Sequence, residues 1–116
     1  MENLLSQHDL IEILRINDFA LKTQLQIKKD FELIGVQLFH ERSNNPTYDQ
    51  LFLEVNSGLT EITQQGEQAL LRLLYQIDIP ERDFLKTISG DNFIAKMSQL
   101  IIRREAYKVY LRSQFG

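Results

Sequence analysis

A single apolar repeat in the middle of the chain constrains the fold more than any other feature. Between Tyr48 and Ile77, apolar or small residues recur at alternating spacings of three and four: Phe52, Val55, Leu59, Ile62, Gly66, Ala69 and Leu73. This spacing places them on one face of an α-helix. The polar stripe on the opposite face would consist of Glu54, Gly58, Glu61, Gln65, Gln68, Arg72 and Gln76. The pattern predicts one helix over 48–77, which needs apolar partners along its whole length.

Two glycines lie inside this predicted helix. Each costs about 1 kcal/mol relative to alanine in a helix interior, and Asn56-Ser57-Gly58 resembles a turn. The apolar repeat nevertheless stays in phase across both glycines, which favours a continuous helix, with a kink at Gly58 as the alternative. Gly66 lies on the apolar face, so we expect a neighbouring helix to approach closely there.

The segment before this repeat predicts a long first helix and a loop. Ser6 and Asp9 fit a capping box, so the helix should begin near Gln7. Asn17–Asp18 could be a break, but apolar and polar stripes keep a helical phase across it, which favours one helix to about Ile34. Gly35 suits the left-handed position after a helix end. Residues 36–46 lack periodicity and predict a loop, and the capping box of Thr47 and Gln50 should start the next helix.

The C-terminal part predicts a short helix followed by a long one. Pro80 is suited to the first position of a helix. The helix over 81–89 should turn Phe84, Leu85 and Ile88 inward, and the last helix should run over 92–113.

Together these segments predict an all-α fold. We expect a single domain over 1–116, built as a bundle of three long helices plus a short fourth helix, because 116 residues can bury a substantial core. The chain holds only 5 Gly and 2 Pro, which leaves few turn residues for a many-stranded sheet. The core should contain Leu14, Phe31, Phe52, Val55, Leu59, Ile62, Leu70, Leu73, Phe84, Met97, Leu100 and Ile101.

Composition excludes several classes of protein. The chain has no Cys, which rules out disulfides and thiol chemistry and favours a reducing compartment. The first fifteen residues contain three acids, which is atypical of a secretory signal. No apolar stretch approaches the roughly 20 residues that cross a bilayer. We therefore expect a cytoplasmic protein without membrane contact. The net charge of −3 argues against a wholly basic nucleic-acid binder.

The last helix has apolar residues on two sides, which suggests an interaction surface. Phe93, Met97, Leu100, Tyr107 and Leu111 form one stripe, whereas Ile102, Ala106 and Val109 belong to another. We expect the second stripe to mediate self-association as a homodimer, because a monomer seldom exposes such a patch. The alternative is that other helices of the same chain cover it.

A basic edge on the last helix supports a second hypothesis. Arg104, Lys108 and Arg112 are four residues apart, with Tyr107 and Tyr110 between them. Basic side chains neutralise phosphates and tyrosines stack on bases, so this edge could contact nucleic acid or an acidic partner. The other interpretation is that these cations complement the helix dipole and that the tyrosines pack in the core.

Neither histidine belongs to a convincing metal or catalytic constellation. His8 and Glu12 are one turn apart, but the Glu-x-x-His pairs of a di-iron bundle are missing, since Leu5 and Gln37 stand where glutamates would be needed. His40 lies in the predicted loop, with no residue spaced to form an activated nucleophile.

We therefore expect no cofactor, no metal and no catalysis. The predicted function is that of a helical protein-interaction or structural module that self-associates. Nucleic-acid association is the alternative. A metal protein or enzyme built around His8 or His40 is a third, weaker possibility.

Overall fold

The chain folds into more helices than predicted. The computed structural model describes residues 7–15, 18–88 and 91–115, and within these ranges it contains six α-helices and no strand. The all-α prediction is therefore confirmed for the described chain. The helices are α1 (Gln7–Leu14), α2 (Phe19–Glu32), α3 (Tyr48–Gln65), α4 (Glu67–Ile77), α5 (Glu81–Ile88) and α6 (Phe93–Phe115). The predicted arrangement of three long helices plus a short one does not form. The first predicted helix is divided into α1 and α2, and the helix predicted over 48–77 is divided into α3 and α4.

The first predicted helix is divided before Phe19. Helix α1 ends at Leu14, and Asp18 occupies the N-cap position of α2, where its carbonyl oxygen accepts the Lys22 N–H at 2.8 Å. Aspartate favours such positions because its side chain competes for backbone hydrogen bonds inside a helix. The prediction of one helix to about Ile34 is wrong. Apolar and polar residues can keep the same helical phase in two successive helices, so the phase does not require one uninterrupted helix.

The end of α2 agrees with the sequence. Gly35 has a φ of +88°, which is the left-handed conformation predicted for it. Its N–H donates to the Glu32 carbonyl at 3.0 Å, and the Val36 N–H donates to the Phe31 carbonyl at 2.9 Å. These two bonds form a Schellman motif, which satisfies carbonyl groups at the helix end. The predicted capping box of Thr47 and Gln50 is also confirmed at the start of α3.

Gly66 divides the second predicted helix. Its φ of +113° and ψ of +177° lie in a region that is essentially restricted to glycine. Gly66 is exposed, and a methyl group there would meet no neighbour within 4 Å. The predictions of a continuous helix over 48–77 and of a close helix approach at Gly66 are both wrong.

Gly58 is the glycine that permits close packing. Helix α3 continues through it, and a methyl group there would lie 2.8 Å from Leu38 Cδ2 and 3.0 Å from Phe31 Cε2. Gly58 is buried, which corrects its assignment to the wet stripe. The loop between α2 and α3 is also anchored by the Phe39 N–H, which donates to the Glu54 carboxylate at 2.6 Å. The loop therefore packs against α3.

Helix α6, and not the segment 48–77, is the centre of the fold. It contacts each of the other five helices. This position explains why α6 is apolar on two sides, because a helix between neighbours buries more than one face. All twelve predicted core residues belong to the core: Leu14, Phe31, Val55, Leu59, Ile62, Leu73, Met97 and Ile101 are buried, and Phe52, Leu70, Phe84 and Leu100 pack against them partly buried.

Helix α5 is oriented differently from the prediction. Phe84 is half-buried and meets Phe93 edge to face at a ring-centroid distance of 6.3 Å. Leu85 and Ile88 are 52% and 47% exposed, so the prediction that they face inward is wrong. None of the described helices is long and apolar enough to cross a membrane.

Candidate functional site

The predicted self-association stripe lies inside the protein. Ile102, Ala106 and Val109 are all buried within a single chain. Of the two alternatives that the sequence left open, burial by other helices of the same chain is therefore the one that occurs. These three residues cannot form an interface without rearrangement of the core, which corrects their assignment as the interaction surface.

The predicted basic edge makes intramolecular contacts. Arg104 Nη2 lies 2.8 Å from Asp78 Oδ2, at the end of α4, and Arg112 Nη2 donates to Gln26 Oε1 on α2. Lys108 Nζ lies 3.0 Å from Asp30 Oδ2 on α2. Two of the three positive charges are thus paired with carboxylates of the same chain. The edge therefore joins α6 to α4 and α2.

Lys108 belongs to a buried polar cluster between α2, α4 and α6. Its Nζ lies 3.0 Å from Asp30 Oδ2 and 3.0 Å from Glu105 Oε1. Asp30 and Glu105 are only 2% and 0% exposed. Asp30 also accepts hydrogen bonds from Gln26 Nε2 at 3.1 Å and from Gln76 Nε2 at 3.2 Å. Donors from three helices therefore converge on one carboxylate.

The two carboxyl groups of this cluster have opposite pKa shifts. Burial raises the pKa of Glu105 to about 9, and its hydrogen bond with Asp30 acts in the same direction, against the attraction of Lys108. Burial also acts to raise the pKa of Asp30, but hydrogen bonds from Glu105, Lys108 and Gln26 outweigh it and hold the pKa below its ordinary value. The raised pKa favours a protonated Glu105 at neutral pH, and Lys108 balances the charge of Asp30.

This cluster was not predicted from the sequence, although one signal was present. Glu105 lies four residues after Ile101 and three after Ile102, so it shares their apolar face. A lone acid on an apolar face of a helix predicts a buried carboxyl that needs a partner. The identity of that partner, Asp30, depends on how α2 packs against α6, and no local pattern contains this information.

An apolar groove lies between α4 and α5. It encloses about 290 Å³, and its apolar walls are formed by Leu71, Leu74, Tyr75, Ile79, Phe84 and Leu85. Tyr75 stands at its edge and is 84% exposed. Ile88 is one turn beyond Leu85 on α5 and extends the exposed apolar surface. Tyr75 of α4 and Leu85 of α5 are therefore exposed at this groove, and Ile88 is exposed nearby on α5.

The histidines contribute no cluster of ligands to the described chain. Within 7–15, 18–88 and 91–115, no group of three or more His, Cys, Asp or Glu side chains is placed to hold a metal ion. His40 is exposed in the loop after α2. The side chain of His8 lies outside the described part of the chain.

Comparison with protein-family models, with curated proteins and with solved structures found no match for this chain.

Proposed function

We propose that this protein is a non-catalytic helical interaction module that self-associates through the groove between α4 and α5. The observation that carries the proposal is the exposed apolar surface of Tyr75, Leu85 and Ile88 beside that groove. Apolar area removed from water stabilises an interface by about 25 cal/mol per Å². Contiguous exposed apolar surface of this kind is typical of protein–protein contacts.

A second copy of the chain is the partner that this surface fits best. A two-fold interface must be self-complementary, because the same patch contributes both sides. Here a protruding ring, Tyr75, lies directly beside a cavity lined by Leu71, Leu74 and Phe84. One copy can therefore insert its tyrosine into the groove of the other and receive the partner's tyrosine in return.

The charges around the groove support the same pairing. Glu81 lines the groove, and Arg72 is exposed on α4, three residues before Tyr75. A surface that carries both signs is complementary to a copy of itself, whereas a surface of one sign would repel it. Glu81 of one copy can thus approach Arg72 of the other at the rim.

The absence of catalysis and a cytoplasmic location are parts of the same proposal. Asp30 and Glu105, the groups with shifted pKa values, are shielded from any substrate by burial. The cysteine-free composition supports a reducing compartment. Nucleic-acid association through Arg104, Lys108 and Arg112 has less support, because Asp78 and Asp30 already pair with the first two.

Sedimentation of two charged variants tests the interface. We expect the wild-type protein to sediment as a dimer at micromolar concentration, and Tyr75→Asp and Leu85→Glu to sediment as folded monomers. Both side chains are exposed, so neither change should disturb the core.

Leu53→Glu is the matched control, because Leu53 is 68% exposed on α3 and lies outside the groove. It should sediment like the wild type. A wild-type protein that remains monomeric at the highest attainable concentration would contradict self-association. Variants that dimerise as strongly as the wild type would place the interface elsewhere.

A further inference from the structure

A second groove, between α2 and α6, has a different chemical character. It encloses about 400 Å³, and its charged lining residues are all basic: Lys22 and Lys29 from α2 and Arg112 from α6. Leu25 and Val109 contribute apolar surface, and Gln26 contributes a polar group. No acid lines this groove, although the chain as a whole has a net charge of −3.

The sequence of α2 places the two lysines on one face. Lys22, Gln26 and Lys29 are separated by four and three residues, which aligns them along the helix over about 10 Å. Arg112 reaches the same groove from α6, opposite Gln26. Cations from two helices therefore line one groove.

Arg112 is held in place by the buried cluster. Gln26 is 8% exposed, and it accepts the Arg112 hydrogen bond through Oε1 while its Nε2 donates to Asp30. This bond uses one of the five N–H donors of the guanidinium. The remaining donors are pre-organised beside the groove, which lowers the entropy cost of binding an anion.

The two lysines are not neutralised by neighbours within the described chain. Lys28 on the same helix pairs with Glu32 at 3.1 Å, and Lys108 pairs with Asp30 at 3.0 Å. Lys22 and Lys29 have no such ion pair among the described residues, and both are exposed at the groove. Their charge is available to a ligand.

We propose that the groove between α2 and α6 binds a diphosphate that is esterified to a small apolar group. Two adjacent phosphates extend along the row of cations better than one phosphate does, and Arg112 can bind a phosphate through two parallel hydrogen bonds. Leu25, which is 39% exposed, provides apolar contact for the organic part of the molecule. The site uses α2 and α6, so it is independent of the interface proposed between α4 and α5.

Titration followed by amide chemical shifts tests this site, with inorganic pyrophosphate and isopentenyl diphosphate as probes at constant ionic strength. We expect saturable shifts confined to residues around Lys22, Lys29 and Arg112, and tighter binding of isopentenyl diphosphate than of pyrophosphate. The double variant Lys22→Gln, Lys29→Gln should weaken both by at least about tenfold, because charge-assisted hydrogen bonds to phosphate are lost.

Lys96→Gln is the matched control, since it removes a positive charge from an exposed position near the start of α6, far along the helix from Arg112. It should bind both probes like the wild type. Shifts spread over lysines throughout the chain, or equal affinity of the double variant and the wild type, would overturn the site. Equal affinity for both probes would overturn the assignment of an apolar ester group.

Discussion

Lys108 Nζ on α6 lies 3.0 Å from Asp30 Oδ2 on α2, beside the buried carboxyl of Glu105. Removing two carboxyls from water is costly, and burial raises the pKa of Glu105, which leaves Asp30 as the carboxylate whose charge needs a partner. Lys108 supplies the matching positive charge. This arrangement fixes α6 at one register against α2, because a shift by one residue would leave buried polar groups without partners.

The first prediction concerns the pH dependence of stability. In the unfolded chain Glu105 ionises near its ordinary pKa of 4.5, whereas in the folded protein its pKa is about 9. Between these values the folded protein retains a proton that the unfolded chain has released, so rising pH favours unfolding. The contribution of Glu105 is complete below pH 4.5 and is lost progressively towards pH 9. We expect the melting temperature to fall across this interval.

Glu105→Gln separates this effect from other titrations. A glutamine has nearly the same shape and can donate a hydrogen bond to Asp30, but it does not ionise. The melting temperature of the variant should therefore depend less on pH. Relative to the wild type, the variant should be most stable at alkaline pH. The same slope in both proteins would contradict a Glu105 that keeps its proton in the folded protein.

The second prediction concerns Lys108. Lys108→Met removes the cation and leaves Asp30 charged in the interior, so the free energy of unfolding should fall by about 3–5 kcal/mol. Urea denaturation measures this loss. Adding Asp30→Asn should recover part of it, because the unpaired charge disappears.

Lys28→Met is the control for Lys108. Lys28 forms a partly exposed pair with Glu32 on the same helix and donates a hydrogen bond to the Leu38 carbonyl at 3.3 Å. Such a pair contributes about 1 kcal/mol or less and one hydrogen bond about 0.5–1.5 kcal/mol, so this variant should lose less stability than Lys108→Met. Equal losses in the free energy of unfolding for Lys28→Met and Lys108→Met would contradict a larger contribution of the buried cluster to stability.

The third prediction concerns the two histidines. Neither His8 nor His40 is expected to bind a metal needed for folding, because the sequence offers no complete ligand set around either. Thermal unfolding with and without a chelator should give the same midpoint. A structural metal would instead contribute its binding free energy to folding, and its removal would lower the midpoint by several degrees.

The fourth prediction concerns Gly66. Gly66→Ala forces a side chain into a backbone region that costs about 1–3 kcal/mol, even though the position is exposed and uncrowded. Urea denaturation should show that loss. Gln65→Ala, at the neighbouring exposed position, should change the free energy of unfolding by no more than about 0.5 kcal/mol. An unchanged stability of Gly66→Ala would mean that the junction of α3 and α4 is easily remodelled.

The sequence predicted features that depend on local spacing. The helical phase of Val55, Leu59 and Ile62 was sufficient to identify them as core, and it remained correct although the helix ends at Gln65. The Schellman motif at Gly35 and the capping box at Thr47 were also predictable, because both are decided by a few adjacent residues.

Features that depend on how distant segments pack were not predictable. The two-sided apolar character of α6 was compatible with a dimer or with a central position, and only the contacts of α6 with the other five helices decide between them. The sequence assigned the close approach to Gly66 and a possible kink to Gly58, whereas the close approach occurs at Gly58 and the break at Gly66. The close neighbour of Gly58 is Leu38, a loop residue whose position depends on distant packing. The basic groove joins Arg112 to Lys22 and Lys29, which no spacing along the chain relates.

The break at Gly66 also sets the size of the molecule. At 1.5 Å per residue, an unbroken helix over 48–77 would be about 45 Å long, whereas the longest dimension of the protein is 37 Å. One end of such a rod would extend beyond the body and lose its apolar cover. A chain that straightened at residue 66 could recover that cover from a neighbour by exchanging α4 between two molecules. A single glycine thus keeps each copy self-contained.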